Sequence, residues 1–268
     1  MRNFVLLSLL IIYSSKIKAE DIFTNQFEYL VATRISNFNL RDPHTFSPIS
    51  GFGCFDITDS LNSEVNVQIS TDSDGDGNLD LSFVTQYYSD QPAYLTNKSM
   101  TANLQSADCT APQDTTTCSP TVDPLIGQLA TNPLDTGSCL LPIVGTTTGY
   151  VPAIITTGAP CHSTVPQNIT INLGGINLPL ENYQQALRYQ NGITTDQGLH
   201  LGFISEAVAE TIIIPASIPV IGGQTFASLL PGGMRSCSTG DDRDIGPDGQ
   251  TSGWWLYFNS ESGLIEFF

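Results

Sequence analysis

Glu64-Val-Asn-Val-Gln-Ile69, then Asp72-Ser-Asp-Gly-Asp-Gly-Asn-Leu-Asp80, then Leu81-Ser-Phe83 follow one another with only Ser70 and Thr71 between them. Val65, Val67 and Ile69 alternate with Asn66 and Gln68. Leu79, Leu81 and Phe83 resume that alternation beyond the acidic loop. Alternating β-branched and polar residues mark a strand with one buried face, so two strands joined by a turn-rich loop are expected, a hairpin.

Outward from this run, β-prone segments recur at residues 27–35, 168–173, 199–204, 211–214 and 254–258. Residues 180–189 fit two periods: Leu180, Tyr183 and Leu187 have helical spacing, while Tyr183, Gln185, Leu187 and Tyr189 have strand spacing. Ser205 is placed to cap a short helix over the residues that follow it. Residues 102–167 differ in character, being dominated by Thr, Pro, Ser, Asp and Gly and holding four of the six cysteines. They read as a loop-rich, Cys-rich insertion with short strands at 140–144 and 150–155. Many short strands, Gly/Pro turns and little helix predict an all-β fold. Its expected form is an antiparallel, jelly-roll-like β-sandwich with a disulfide-stapled loop-rich region and one or two short helices.

Arg2, the apolar residues 4–13 and the polar segment ending Lys16-Ile-Lys-Ala19 have the order of a secretory signal peptide cleaved after Ala19. Residues 20–268 then form one secreted β domain, extracellular, periplasmic or at the cell surface. No apolar run reaches the roughly 18 residues of a membrane span. Loss of Arg2, Lys16 and Lys18 leaves six basic residues against 26 acidic ones, a net charge of −20. A surface this negative repels phosphates, which excludes nucleic acid as an expected partner. Cys54, Cys109, Cys118, Cys139, Cys161 and Cys237 are even in number and contain no C-x-x-C pair, as expected of three disulfides in an oxidising compartment. Cys109 and Cys118 are near enough in sequence to form a local link; the other pairings stay open.

The acidic loop places Asp72, Asp74, Asp76 and Asp80 at positions 1, 3, 5 and 9, with Gly77 at position 6, where the backbone must turn sharply. Converging carboxylates suit a hard cation of flexible coordination, and calcium is the expected one. Position 12 is Phe83 rather than the bidentate Glu of an EF-hand. The nine-residue pattern D-x-D-x-D-G-x-x-D resembles the calcium loops of thrombospondin type 3 repeats and of FG-GAP repeats, found in many extracellular bacterial proteins. That resemblance implies ligation by the side chains of Asp72, Asp74, Asp76 and Asp80 and by the backbone carbonyl of Asn78. A second acidic turn holds Asp242, Asp244 and Asp248 at less regular spacing, and reads either as a second metal site or as an ordinary polar turn.

No G-x-S-x-G elbow, H-E-x-x-H pair or phosphate-cradling glycine loop occurs. His44, His162 and His200 are scattered, and His200, within an apolar segment, reads as a core residue. Glu206 and Glu210 read as a solvated face. Trp254 and Phe258 share one face of a strand, and Trp255 and Tyr257 the other. The second pair is read either as packing on a covered face or as a platform for sugars or a protein. Asn97-Lys-Ser and Asn168-Ile-Thr match the N-glycosylation acceptor pattern, which carries weight only in an organism that uses it. The function expected is non-enzymatic, calcium-dependent interaction with an extracellular protein or glycan. The competing expectation is a calcium-dependent carbohydrate-binding module or a glycoside hydrolase, the latter needing only two suitably placed carboxylates.

Overall fold

A computed structural model describes residues 29–89, 101–130, 139–190 and 193–267. The expected leader, residues 1–19, and Asn97 lie outside the described residues. In chain order the elements are β1 (Tyr29–Asp42), β2 (Phe46–Ile49), β3 (Gly53–Asp56), helix α1 (Thr58–Ser70), β4 (Phe83–Ser89), β5 (Thr101–Cys109) and β6 (Thr117–Ala130). There follow β7 (Cys161–Ser163), β8 (Gln167–Leu173), β9 (Ile176–Gln190), β10 (Ile193–Ser205), the short helices α2 (Glu206–Ala209) and α3 (Phe226–Leu229), β11 (Asp244–Ile245) and β12 (Ser252–Phe267). No helix among them is long and apolar enough to cross a membrane.

The long strand β12 organises the sheet. Antiparallel ladders join it to β1 on one edge and to β10 on the other. From β1 the sheet runs through β4 and β5 to β6, whose start meets the end of β12 in a short parallel contact, Glu266 opposite Thr117 and Phe267 opposite Cys118. These five strands close a ring. Beyond β10 the sheet continues to β9, along which β7 and β8 lie in succession. The chain is mostly β, with short helices and disulfides, as expected. In place of two stacked antiparallel sheets, ten strands join in one mixed sheet that closes on itself through β1, β4, β5, β6 and β12.

The expected hairpin over residues 64–83 is overturned at its first arm, which is helix α1. Leu61, Val65 and Ile69 recur every four residues and pack on the core, while Val67, which a strand would bury with Val65 and Ile69, is 48% exposed. The alternation of valines is therefore incidental, and the helical period Leu61, Val65, Ile69 carries the burial. Of the expected second arm only Phe83 is strand, as the first residue of β4, while Leu79 and Leu81 belong to the irregular loop end.

Tertiary contacts explain why α1 lies where it does. β4 pairs with β1 only up to Arg34, leaving the later part of that β1 edge without a partner strand. Asn66 Oδ1 accepts from Phe38 N and Asn62 Oδ1 from Leu40 N, both at 2.8 Å, and Asn62 Nδ2 donates to Leu40 O at 3.1 Å. Four residues of helix rise about 6 Å and two residues of strand about 6.8 Å, so two asparagines one turn apart reach alternate residues of the open edge. Backbone groups that would otherwise be orphaned are satisfied by side chains.

Residues 102–167 are also more regular than expected. Most of β5, all of β6 and the short β7 fall there. Residues 140–144 and 150–155 are not strands; they belong to an irregular strap between Cys139 and Cys161. Residues 211–214 form only an isolated bridge, Ile213 with Thr225. The ambiguous 180–189 is strand, within β9, and α2 starts where expected, Ser205 accepting from Val208 N at 3.3 Å. All six cysteines are paired, Cys109–Cys118 as expected, with Cys54–Cys237 and Cys139–Cys161. Three disulfides point to an oxidising compartment.

Candidate metal centre

The acidic loop leaves α1 at Thr71 and re-enters regular structure at Phe83. Its stem is closed by Asp80 N to Thr71 O at 2.9 Å and Leu81 N to Gln68 O at 3.0 Å. The buried Arg34 grips both sides of the stem, donating to Ile69 O before the loop and to Ser82 Oγ (3.1 Å) and Leu81 O (3.3 Å) after it. Burial pulls its guanidinium down to about 10. On the far side Leu79 is buried, its N–H donates to Cys109 O at 2.7 Å, and Gly77 O accepts from Ala111 N at 2.9 Å. The loop is thus sewn between the end of α1 and the Cys109–Cys118 turn.

Within it the carboxylates accept backbone N–H groups. Asp72 receives Gly75, Asp76 and Gly77 at 2.7, 3.1 and 2.9 Å; Asp74 receives Asp76 at 3.1 Å; Asp80 receives Ser73 at 2.9 Å. Gly75 and Gly77 have φ of 77° and 92°, a conformation that side chains resist, which explains glycine at both positions. One oxygen each from Asp72, Asp74 and Asp80 lies within 4.8 Å of the others. This is the one such group among the described residues. Asp76, counted with them on spacing, accepts Asn78 N at 2.7 Å and stands outside the trio. The donor set is carboxylate oxygen alone, on an exposed loop, which suits calcium or magnesium and disfavours soft metals.

In the second acidic turn Asp242, Asp244 and Asp248 are not gathered into one group. Asp248 closes a turn of its own, accepting Gln250 N at 2.9 Å and Thr251 N at 2.8 Å, and these bonds, with one from the Thr251 hydroxyl, hold its carboxyl down at about 2. Asp242 and Asp244 are drawn instead to Asp42, which no motif marked. Asp42 is 2% exposed and accepts Thr148 N at 3.0 Å; burial pushes it up to about 7. Burial likewise lifts Asp244 to about 6 and raises Asp242, which accepts from the hydroxyls of Thr148 and Tyr150. Tyr150 stacks on His44 at 4.0 Å, and His44 Nδ1 bonds to Asp56. The three carboxylates do not converge as the loop trio does: Asp42 and Asp242 pin the Cys139–Cys161 strap through Thr148 and Tyr150, while Asp244 accepts from the Trp255 backbone on β12.

That strap also settles where the aromatics go. Trp255 is 3% exposed and Tyr257 fully buried, packed with Leu140, Leu199, Leu201 and Phe203. Trp255 Nε1 donates to Ile245 O at 3.2 Å, and the Tyr257 hydroxyl accepts from Ile143 N at 3.0 Å. Neither ring is a surface platform; the second face of β12 is covered. His200 is a core residue, bonded to the Tyr183 hydroxyl at 2.8 Å and to Ser260 Oγ at 2.7 Å, with its pKa pulled down to about 3 by burial.

No family model, curated protein or solved structure matches the chain.

Proposed function

We propose that the chain is a secreted, calcium-binding, disulfide-stabilised β protein with a non-enzymatic role in extracellular or cell-surface interaction. The observation that carries this reading is the convergence of Asp72, Asp74 and Asp80 in a loop whose glycines and backbone hydrogen bonds hold the carboxylates together. Three like charges at that spacing repel unless a cation lies between them, so binding orders the loop and adds to folding stability. Calcium is favoured over magnesium, which demands a tighter octahedron and keeps more of its water. Because the loop stem is gripped by Arg34 and tied to the Cys109–Cys118 turn, cation binding also firms the junction of α1, β4 and β5. The carbohydrate reading loses its aromatic pair, both rings being buried, and is left with the excess of acids.

Calcium titration of residues 20–268 by calorimetry, with melting curves in calcium and in chelator, tests the site. Stoichiometric binding and a higher melting temperature, both abolished by Asp74→Ala with Asp80→Ala, are expected. Absence of heat and of any shift removes the metal reading. Retention on cells or matrix only in calcium tests the interaction role.

A further inference from the structure

Asn168 and Thr170 stand side by side on the solvent face of β8, where burial alternates: Ile169, Ile171 and Leu173 point to the core and Asn168, Thr170 and Asn172 are exposed. This is the Asn-x-Thr pattern with isoleucine, not proline, between. The face borders an open cleft of about 590 Å³ whose lining includes Asn168, Thr170, Asn172, Asn177 and Glu181. Such a volume falls in the range of roughly 300–1,000 Å³ in which clefts accommodate small ligands.

The orientation of the Asn168 amide is fixed. Its Oδ1 accepts from Asn182 N at 3.0 Å, a residue in left-handed conformation (φ 53°). The oxygen is therefore committed to the backbone of β9, and the other end of the amide, Nδ2, carries the reactive position. Substitution on Nδ2 leaves the Oδ1 bond intact, so a large group added there does not disturb the β8–β9 pairing. A bulky, solubilising group also suits a surface strand that is polar on its outer face.

We infer that Asn168 is an N-glycosylation site, the cleft beside β8 and β9 providing the space its first sugars occupy. The inference rests on the secreted reading in its extracellular or cell-surface form, in an organism whose secretory pathway carries out this modification. A lipid-linked pyrophosphate oligosaccharide is the donor. The bond from its C1 to the pyrophosphate oxygen breaks, the bond from C1 to Nδ2 forms, and Nδ2 gives up one proton as the lipid pyrophosphate departs.

The test is expression of the full chain in a eukaryotic secretory host in two forms, one with its own leader and one with residues 1–19 replaced by a leader of known efficiency. Recovery of the first form in the medium reports on secretion alone. Peptide mass spectrometry of the second reports on Asn168. A glycan on the Asn168 peptide is expected, removed by amidase treatment that converts Asn168 to Asp, absent in Thr170→Ala and in Asn168→Asp, and retained in Thr170→Ser. Asn168→Asp keeps the acceptor for Asn182 N and so separates loss of the glycan from loss of the fold. Secreted, disulfide-bonded protein with an unmodified Asn168 peptide overturns the inference while leaving the secreted reading standing.

Discussion

Asp42 behaves unlike an ordinary carboxylate. A carboxyl group is ordinarily ionised above about pH 4, yet burial pushes this one up to about 7 and its neighbour Asp244 to about 6. A carboxyl raised on folding favours the protonated native state. The stability these groups lend is fully present below about pH 4 and is lost as pH rises through their folded values, 6 to 7. His200 acts in the opposite sense: with a folded value of about 3, it stabilises above about pH 6.5 and that contribution is lost as pH falls. The melting temperature is thus expected to fall between pH 5.5 and pH 8 through the Asp42 cluster. In Asp42→Asn that fall is smaller, and the variant is the more stable protein at pH 8. Melting curves across that interval check it; an unchanged slope shows that the cluster does not titrate there. Nothing in the sequence around Asp42 marks it, because the strap that buries it arrives from residues about a hundred positions later.

At the scale of elements, α1 is the instructive case. Residues 64–69 satisfy the strand period as well as any segment of the chain, and still fold as helix, because two side chains one helical turn apart complete the β1 edge that β4 leaves open. Asn62 and Asn66 read as the polar face of a strand or helix alike, and only the docked arrangement tells which. Asn62→Ala leaves Leu40 N and O without their partner, an expected loss of about 1–3 kcal/mol. Val67→Asn, on the exposed side of the helix, is expected to change stability by less than about 0.5 kcal/mol. Denaturant midpoints of the two variants discriminate the arrangements: a hairpin would bury Val67 and reverse the order. The acidic loop was legible in the spacing of its carboxylates and in Gly77, a local property that survived the change of its flank from strand to helix. Asp76 stands outside the converging trio.

The whole molecule is held by closure of its sheet and by three crosslinks of very different reach. Cys109–Cys118 spans 9 residues and Cys54–Cys237 spans 183. Crosslinks restrict the unfolded chain more as the loop lengthens, roughly 2.5 kcal/mol for the short one against 5 kcal/mol for the long one. Paired Cys→Ser variants should therefore rank by loop length, Cys54/Cys237 showing the larger drop in melting temperature; equal drops would mean that native contacts, not chain restriction, dominate. Whatever depends on neighbours along the chain was legible in the sequence: the β content, the cap at Ser205, the local disulfide and the oxygen-rich loop. Tertiary structure decided what depends on who arrives from elsewhere. It made a helix of an alternating segment because an open strand edge needed donors and acceptors. It buried Trp255 and Tyr257 because a disulfide-tied strap covers the second face of β12. It gathered Asp42 with Asp242 and Asp244, and left Asp248 to its own turn, because burial and hydrogen bonding act between groups brought close in space, whatever their separation in sequence.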